Sequence, residues 1–293
     1  MPSDLDTANK RSRWLIYLGG WLALLAATIV AYLPGLQGPF VLDDFSSIAR
    51  LGDFGGVRDW ETFKAFVFSG TSGPTGRPLS LLSFLLDGSN WPTEPYPFKR
   101  TNLVIHLLNG VLIGLVIAKV LEALDHDRST VRAVSLLGAG VWLLHPFLVS
   151  TTLYPVQRMA QLSTLFMLAG ILAWLHARML VARDPRRAYL RMSLALPLFT
   201  FLAMISKENG ILLPVLVGVI ELTIFARPDA RFGSLDRRWT AIFFWLPLGV
   251  IAVYLGERFF RPNFLEVMPP RDFSIFERLL TQSRVVVDYL QNW

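Results

Sequence analysis

Cysteine is absent from the 293 residues. That single lack removes disulfides, thiolate metal sites and cysteine nucleophiles together, and it leaves the redox compartment undetermined. Histidine is scarce, with 4 in the chain, and their spacing makes no metal cluster. Internal repetition is missing as well: no period of about 20 to 50 residues runs through the chain, which excludes a solenoid. What fills the chain is apolar. Hydrophobic residues make up 53% and the mean hydropathy is positive, a composition that a soluble globular fold struggles to keep out of water. The formal charge of +6 and isoelectric point near 9.8 would suit a nucleic-acid binder. The basic residues, however, cluster beside long apolar runs instead of forming a stripe, so nucleic acid is discounted and a lipid bilayer is the implied partner.

A crossing needs about 20 mostly apolar residues. The first candidate runs from Trp14 to Leu33 behind Lys10, Arg11 and Arg13. It closes on Tyr32, Leu33 and Pro34 without a small-residue cleavage site, which predicts an uncleaved anchor with a cytoplasmic amino end. Further runs lie near Leu103 to Leu124, Ala133 to Tyr154, Ala160 to Val181, Ser193 to Ile205, Gly210 to Phe225 and Trp239 to Leu255. The expectation is an all-α polytopic membrane protein of about seven transmembrane or re-entrant helices, with a long outer first loop carrying interfacial helices. Alternation from a cytoplasmic start puts three arginine groups inside: Arg128 and Arg132; Arg183, Arg186, Arg187 and Arg191; and Arg227, Arg231, Arg237 and Arg238. The short outer turns keep Arg158 and Lys207. This is the positive-inside asymmetry, arrived at without using it to start the count. The runs flanking Ser206 are short, so they read either as two crossings or as a re-entrant hairpin; both place Lys207 away from the cytoplasm.

One membrane domain over residues 1–293 is expected, with an outer loop at 35–100 and an incomplete outer loop at 257–293. Within the first loop, Phe63, Phe66 and Val67 follow Trp60 at helical spacing among Asp59, Glu61 and Lys64, which predicts an interfacial amphipathic helix. Gly70 to Gly76 reads as a turn, and Leu79 to Leu86 as an apolar run too short to cross. After Leu255 come Arg258, Arg261, Pro262, Pro269 and Pro270, then an amphipathic stretch whose stop at Trp293 reads as a truncation.

The adjacent carboxylates Asp43 and Asp44 lie just beyond the outer end of the first run. They are either a solvated helix cap or turn, or a base with a neighbour that tunes it. Three cations share that side: Arg77 before Pro78, Arg158 in Tyr154-Pro-Val-Gln157-Arg158, and Lys207 beside Glu208. Arginine offers a planar fork and lysine a compact charge, so both suit a phosphate ester. The plain alternatives are interfacial snorkelling for Arg158 and a structural ion pair for Lys207 and Glu208. Asn102 and His106 lie one helical turn apart, and His145 precedes Pro146; each histidine is either a packing residue or a substrate contact.

In order, Asp43-Asp44, Arg77-Pro78-Leu79, Thr101-Asn102 with His106, Asn109, Leu144-His145-Pro146, Tyr154 with Arg158, and Ser206-Lys207-Glu208 form a series. It resembles the transmembrane and tetratricopeptide-repeat O-mannosyltransferase family and its bacterial relatives, within the type C glycosyltransferases, from about Phe40 to Pro214. The resemblance implies an enzyme that passes a sugar from a polyprenyl-phosphate donor to an acceptor, commonly a protein hydroxyl, on the outer face. It implies a bacterial inner membrane with a periplasmic active site. It makes Asp43 the general base with Asp44 in support, and turns Arg158 and Lys207 toward the donor phosphate, with Arg77, Asn102, His106, His145, Tyr154, Gln157 and Glu208 as further substrate contacts. No cofactor beyond the lipid-linked sugar is implied, and metal dependence stays open. Two features depart from the family: Lys99 and Arg100 replace the usual histidine-containing approach to the second crossing, and the repeat domain is missing from these residues. Two rival classes remain, a transporter or flippase, which demands polar groups on both sides or at mid-depth, and a noncatalytic scaffold, for which the acid pair is dispensable.

Overall fold

The computed structural model describes residues 4–53, 55–71, 73–226, 231–259 and 272–291, which are helical apart from turns and loops. Arg227, Arg261, Pro262, Pro269, Pro270 and Trp293 lie outside the described residues. The chain divides into two compact units, Met1–Leu235 and Asp236–Trp293.

The first unit holds α1 (Asp4–Tyr32), α2 (Asp43–Ser47), α3 (Trp60–Phe68), α4 (Pro78–Phe84), α5 (Pro95–Ala123), α6 (Arg128–Leu144), α7 (Phe147–Leu153), α8 (Arg158–Arg178), α9 (Pro185–Ser206) and α10 (Leu213–Thr223). Four segments are long and apolar enough to cross a membrane: Trp14–Gln37, Pro95–Ala123, Pro155–Arg178 and Pro185–Ser206. The count rises to 5 if α6 and α7, which meet at 66°, form one broken crossing. The chain is therefore an integral membrane protein with four or five such helices among the described residues; the sequence reading expected about seven transmembrane or re-entrant helices.

The differences have local causes. Ala133 to Tyr154 breaks at His145, which leaves the helical region (ψ 127°) because the ring of Pro146 clashes with a helical residue before it. The run from Ser193 is one end of the 22-residue α9, whose first turns carry Arg186, Arg187 and Arg191 and so escape a hydropathy reading. α9 starts where the Asp184 side chain accepts from the Arg187 N–H and Pro185 occupies the first turn, where its missing N–H costs nothing.

The first loop folds on itself. Phe66 and Val67 of α3, Leu81 and Phe84 of α4, Ile48, Leu51 and Phe40 pack into one core with Phe98 of α5 and Val156 and Met159 at the start of α8. The apolar face of α3, expected at a lipid interface, is thus buried in protein, although Trp60 remains exposed. α8 is the central rod, packed on α5, α9 and α10. At its far end Arg178 is buried and donates through Nε to both Glu221 oxygens at 2.9 Å and through Nη1 to the Phe232 carbonyl at 2.8 Å. Asn209, just before α10, accepts from the Ser163 hydroxyl at 3.2 Å, so the segment from there to Glu221 runs beside α8 from Ser163 to Arg178.

In the second unit Asp236 caps α11 (Arg237–Thr240), a π-helical turn (Ala241–Trp245) follows, and α12 (Leu246–Phe259) continues it. The helix α13 (Ile275–Gln291) starts at a capping box in which Ser274 and Glu277 exchange bonds, the Ser274 N–H to Oε2 at 2.7 Å and the Glu277 N–H to Oγ at 3.2 Å.

Candidate functional site

The paired carboxylates part company in the fold. A tight turn at Val41–Asp44, closed by the Asp44 N–H on the Val41 carbonyl at 3.0 Å, places Leu42 at φ 45° and ψ −116°. Asp44 is 0% exposed and accepts from the Val41 N–H (2.9 Å) and the Val156 N–H (2.8 Å), one on each oxygen. Burial pushes its carboxyl above the usual range, against the opposing pull of those two bonds and of the Lys99 charge. Asp43 is exposed, and its N–H donates to the Tyr154 hydroxyl at 2.7 Å. Burial, together with the charges of both aspartates, lifts the Tyr154 phenol above its ordinary value, so that hydroxyl stays protonated beside the Asp43 carboxylate.

Tyr154 opens a short turn that ties the outer end together. Arg158 is 0% exposed. Its Nε donates to Asn102 Oδ1, Nη1 to the Ser83 carbonyl and Nη2 to the Phe98 carbonyl, all at 2.8 Å. Asp87 Oδ2 lies 2.5 Å from Nη2, an ion pair more than a linear hydrogen bond. The guanidinium also sits over the rings of Phe84 and Phe98. Asn102 in turn donates to the Tyr154 and Pro155 carbonyls at 3.3 Å. The expectation that Arg158 faces a donor phosphate and Asn102 contacts substrate therefore gives way: their side chains are engaged by protein, and they hold the turn.

The cationic side is built from the first loop and the end of α9. Arg77 adopts a left-handed backbone (φ 54°) before Pro78 and pairs with Glu208, Nη2 to Oε2 at 2.9 Å and Nε to both oxygens at 3.1 Å. Thr75 donates to Glu208 Oε1 at 3.1 Å. The glycine turn closes over this carboxylate: Gly73 has φ 85°, and a Cβ there would lie 2.1 Å from Glu208 Oε1. Burial pushes Glu208 up, but the Arg77 hydrogen bond and charge outweigh it and hold the carboxyl below the ordinary value. Arg77 Nη1 meets the Met159 sulfur at 3.3 Å, a weak acceptor. Lys207 is half-buried, and its ammonium has no hydrogen-bond or ion-pair partner among the described residues. Burial and the Arg77 charge lower its pKa, while Glu208 opposes them. Gln157, half-buried in the central turn, likewise has no side-chain hydrogen bond among the described residues.

Asp43, Asp44, Tyr154, Arg77, Lys207 and Glu208 thus gather at one end of the bundle, joined through the residues from Tyr154 to Met159. The two histidines do not join them as substrate contacts. His106 is 2% exposed, with Nε2 on the Leu143 carbonyl at 3.0 Å and its ring against Tyr32, so it packs α1, α5 and α6 together. His145 accepts from the Phe147 N–H at 3.3 Å and stacks on that ring, which turns the chain from α6 into α7. Sequence reasoning missed Asp87, Thr75 and the role of Lys99, which is buried with Nζ 3.4 Å from the Gly35 carbonyl, in space that a Cβ at Gly38 would enter. A lysine and an aspartate flanking an apolar run were the available signals. No group of three potential metal ligands occurs among the described residues. No family model, curated protein or solved structure matches the chain.

Proposed function

We propose that this protein transfers a sugar from a polyprenyl-phosphate donor to an acceptor hydroxyl, with its active site on the non-cytoplasmic face of the membrane. The observation that carries the reading is one pairing of groups: an exposed carboxylate, Asp43, and an ammonium without a protein acceptor, Lys207, at the same end of the helices. Asp43 takes the proton from the acceptor hydroxyl as its oxygen attacks the anomeric carbon. The bond from that carbon to the phosphate oxygen breaks, and its electron pair leaves with the phosphate. Lys207 receives the developing charge, with Arg77 Nη1, whose present partner is a thioether, as the second donor. A single displacement of this kind inverts the anomeric carbon. Asp44 and Arg158 position the turn and touch no substrate, and the resemblance in motif order supports the same assignment of Asp43.

The orientation rests on the arginines. Arg128 and Arg132 in the first turns of α6, Arg183 between α8 and α9, and Arg186, Arg187 and Arg191 in the first turns of α9 lie at the end of the bundle opposite to Asp43, which the positive-inside rule puts in the cytoplasm. We count the segment holding α10 as a further crossing because it runs beside α8 from Ser163, which bonds Asn209, to Arg178, which pairs with Glu221. The continuous helix from Arg237 to Phe259 is another, at roughly 35 Å of length.

The test is transfer from purified lipid-linked sugar to a labelled acceptor. Asp43→Asn, expressed at the wild-type level, is expected to abolish transfer while leaving the fold intact, because the side chain is exposed. Unchanged turnover removes Asp43 as the base, and label that crosses the bilayer without becoming covalently attached makes the protein a transporter.

A further inference from the structure

Toward the opposite end of the bundle, α5, α8 and α9 line an open groove of about 520 Å³ that plays no part in the chemistry above. Its floor exists because small side chains meet there. Ala169 and Ala173 share one face of α8, Ala195 faces them from α9, and Leu112 and Leu198 form apolar walls. The lining is polar only toward one end, where His176 and Arg191 contribute. His176 Nδ1 lies 2.8 Å from the Leu172 carbonyl, which only accepts, so the proton sits on Nδ1 and Nε2 keeps its capacity for another partner. Arg191 is exposed, and it has no hydrogen-bond or ion-pair partner among the described residues. The contrast with its neighbours is informative: Arg178 is held by Glu221, and Arg187 pairs with Asp184. A guanidinium within a membrane-crossing helix, at the mouth of an apolar groove, finds among the described residues no anion to pair with.

We propose that this groove binds an anionic phospholipid, with the phosphate on Arg191 beside His176 and one acyl chain along the alanine floor. The occupant follows from charge complementarity: the mouth is cationic and unanswered among the described residues, the interior is apolar, and the opening lies on three helices long and apolar enough to cross a membrane. Basic pockets between transmembrane helices at the cytoplasmic surface select lipid headgroups in this way. The volume falls within the range of small-ligand sites. The proposal does not depend on the transfer reaction.

The experiment compares retention of phosphatidylglycerol and phosphatidylcholine with identical acyl chains on the full 293-residue chain in detergent, by native mass spectrometry. Wild type is expected to retain phosphatidylglycerol preferentially. Arg191→Gln is expected to lower that retention about fivefold and leave phosphatidylcholine unchanged. Arg186→Gln removes the same charge from an exposed position of α9 outside the groove, and it is expected to retain the lipid as wild type does. Ala195→Phe, which fills the floor and keeps the charge, is expected to lose it; if that variant misfolds, the two arginine variants decide alone. Glycerophosphoglycerol, a headgroup without chains, is expected not to compete. Equal retention of the two lipids, or equal loss in the two arginine variants, overturns the proposal, as does a dimer in place of bound lipid that Arg191→Gln dissociates.

Discussion

Arg158 and Lys207 carry the same charge at the same end of the bundle, yet the protein surrounds one with acceptors and leaves the other without. Arg158 donates to three carbonyl or amide oxygens and pairs with Asp87, so removing it strands a buried carboxylate. For Lys207 the Glu208 charge offsets burial only in part, and an anion brought to it relieves that cost. The sign of the pH effect follows. Lys207 must be protonated to hold a phosphate, and its pKa in the free protein lies below the ordinary lysine value because of burial and Arg77, despite Glu208. Donor use is therefore expected to fall as pH rises through that lowered value, before an ordinary lysine would titrate. Lys207→Arg stays protonated throughout, so its kcat/KM for donor is expected to lose this alkaline limb. An unchanged limb in Lys207→Arg assigns it to another group. The sequence showed both cations and the acid pair, because each stands out against apolar surroundings. It did not show which cation was answered, because Asp87, Ser83 and Phe98 reach Arg158 only once the loop has folded. Lys99 was hidden in the same way: its role depends on Gly38 and Asp44, which no local spacing connects to it.

At the scale of elements, the long apolar helices were legible and the breaks between them less so. α1, α5, α8 and α9 announce themselves by hydropathy, but α5 begins at Pro95, well before its apolar run, because Lys99 and Asn102 are buried by the first loop instead of by lipid. The loop helices α3 and α4 were visible as apolar patterns, whereas their mutual core, which sets the site, is a long-range fact. The turn before Asp43 is the element where local preference and structure conflict. Leu42 occupies the second position of a turn whose backbone, with positive φ and strongly negative ψ, favours glycine. It is 81% exposed, so packing does not compensate the strain. Relief of strain of about 1–3 kcal/mol, less the added chain entropy of glycine, gives an expected gain of about 1 kcal/mol for Leu42→Gly in chemical denaturation. A concurrent loss of transfer activity would give the exposed leucine a role at the mouth of the site. Loss of stability instead contradicts the strain assignment.

Across the whole molecule, the two ends of the bundle differ in kind. One end holds Asp43, Tyr154, Arg77, Glu208 and Lys207, drawn from the first loop, the start of α8 and the end of α9. The other holds Arg178 with Glu221, Arg183, and the arginines in the first turns of α6 and α9. The alternation of apolar runs made this polarity readable from sequence, since charge asymmetry does not depend on knowing how the helices pack. The shared location of Asp43 and Lys207 is the fact on which the chemistry stands, and the lack of cysteine makes it directly measurable. Ser46, Asn209 and Ala182 are all exposed, the first beside Asp43, the second beside Glu208, the third between α8 and α9. Single cysteines at these positions create the only thiols in the chain. With a membrane-impermeant maleimide on intact cells, Ser46→Cys and Asn209→Cys are expected to label, and Ala182→Cys only after permeabilisation. Labelling of Ala182→Cys alone in intact cells reverses the orientation but preserves the proposed site, because Asp43 and Lys207 still share a face. Labelling that separates Ser46→Cys from Asn209→Cys removes the site itself, since no single substrate can then meet both groups.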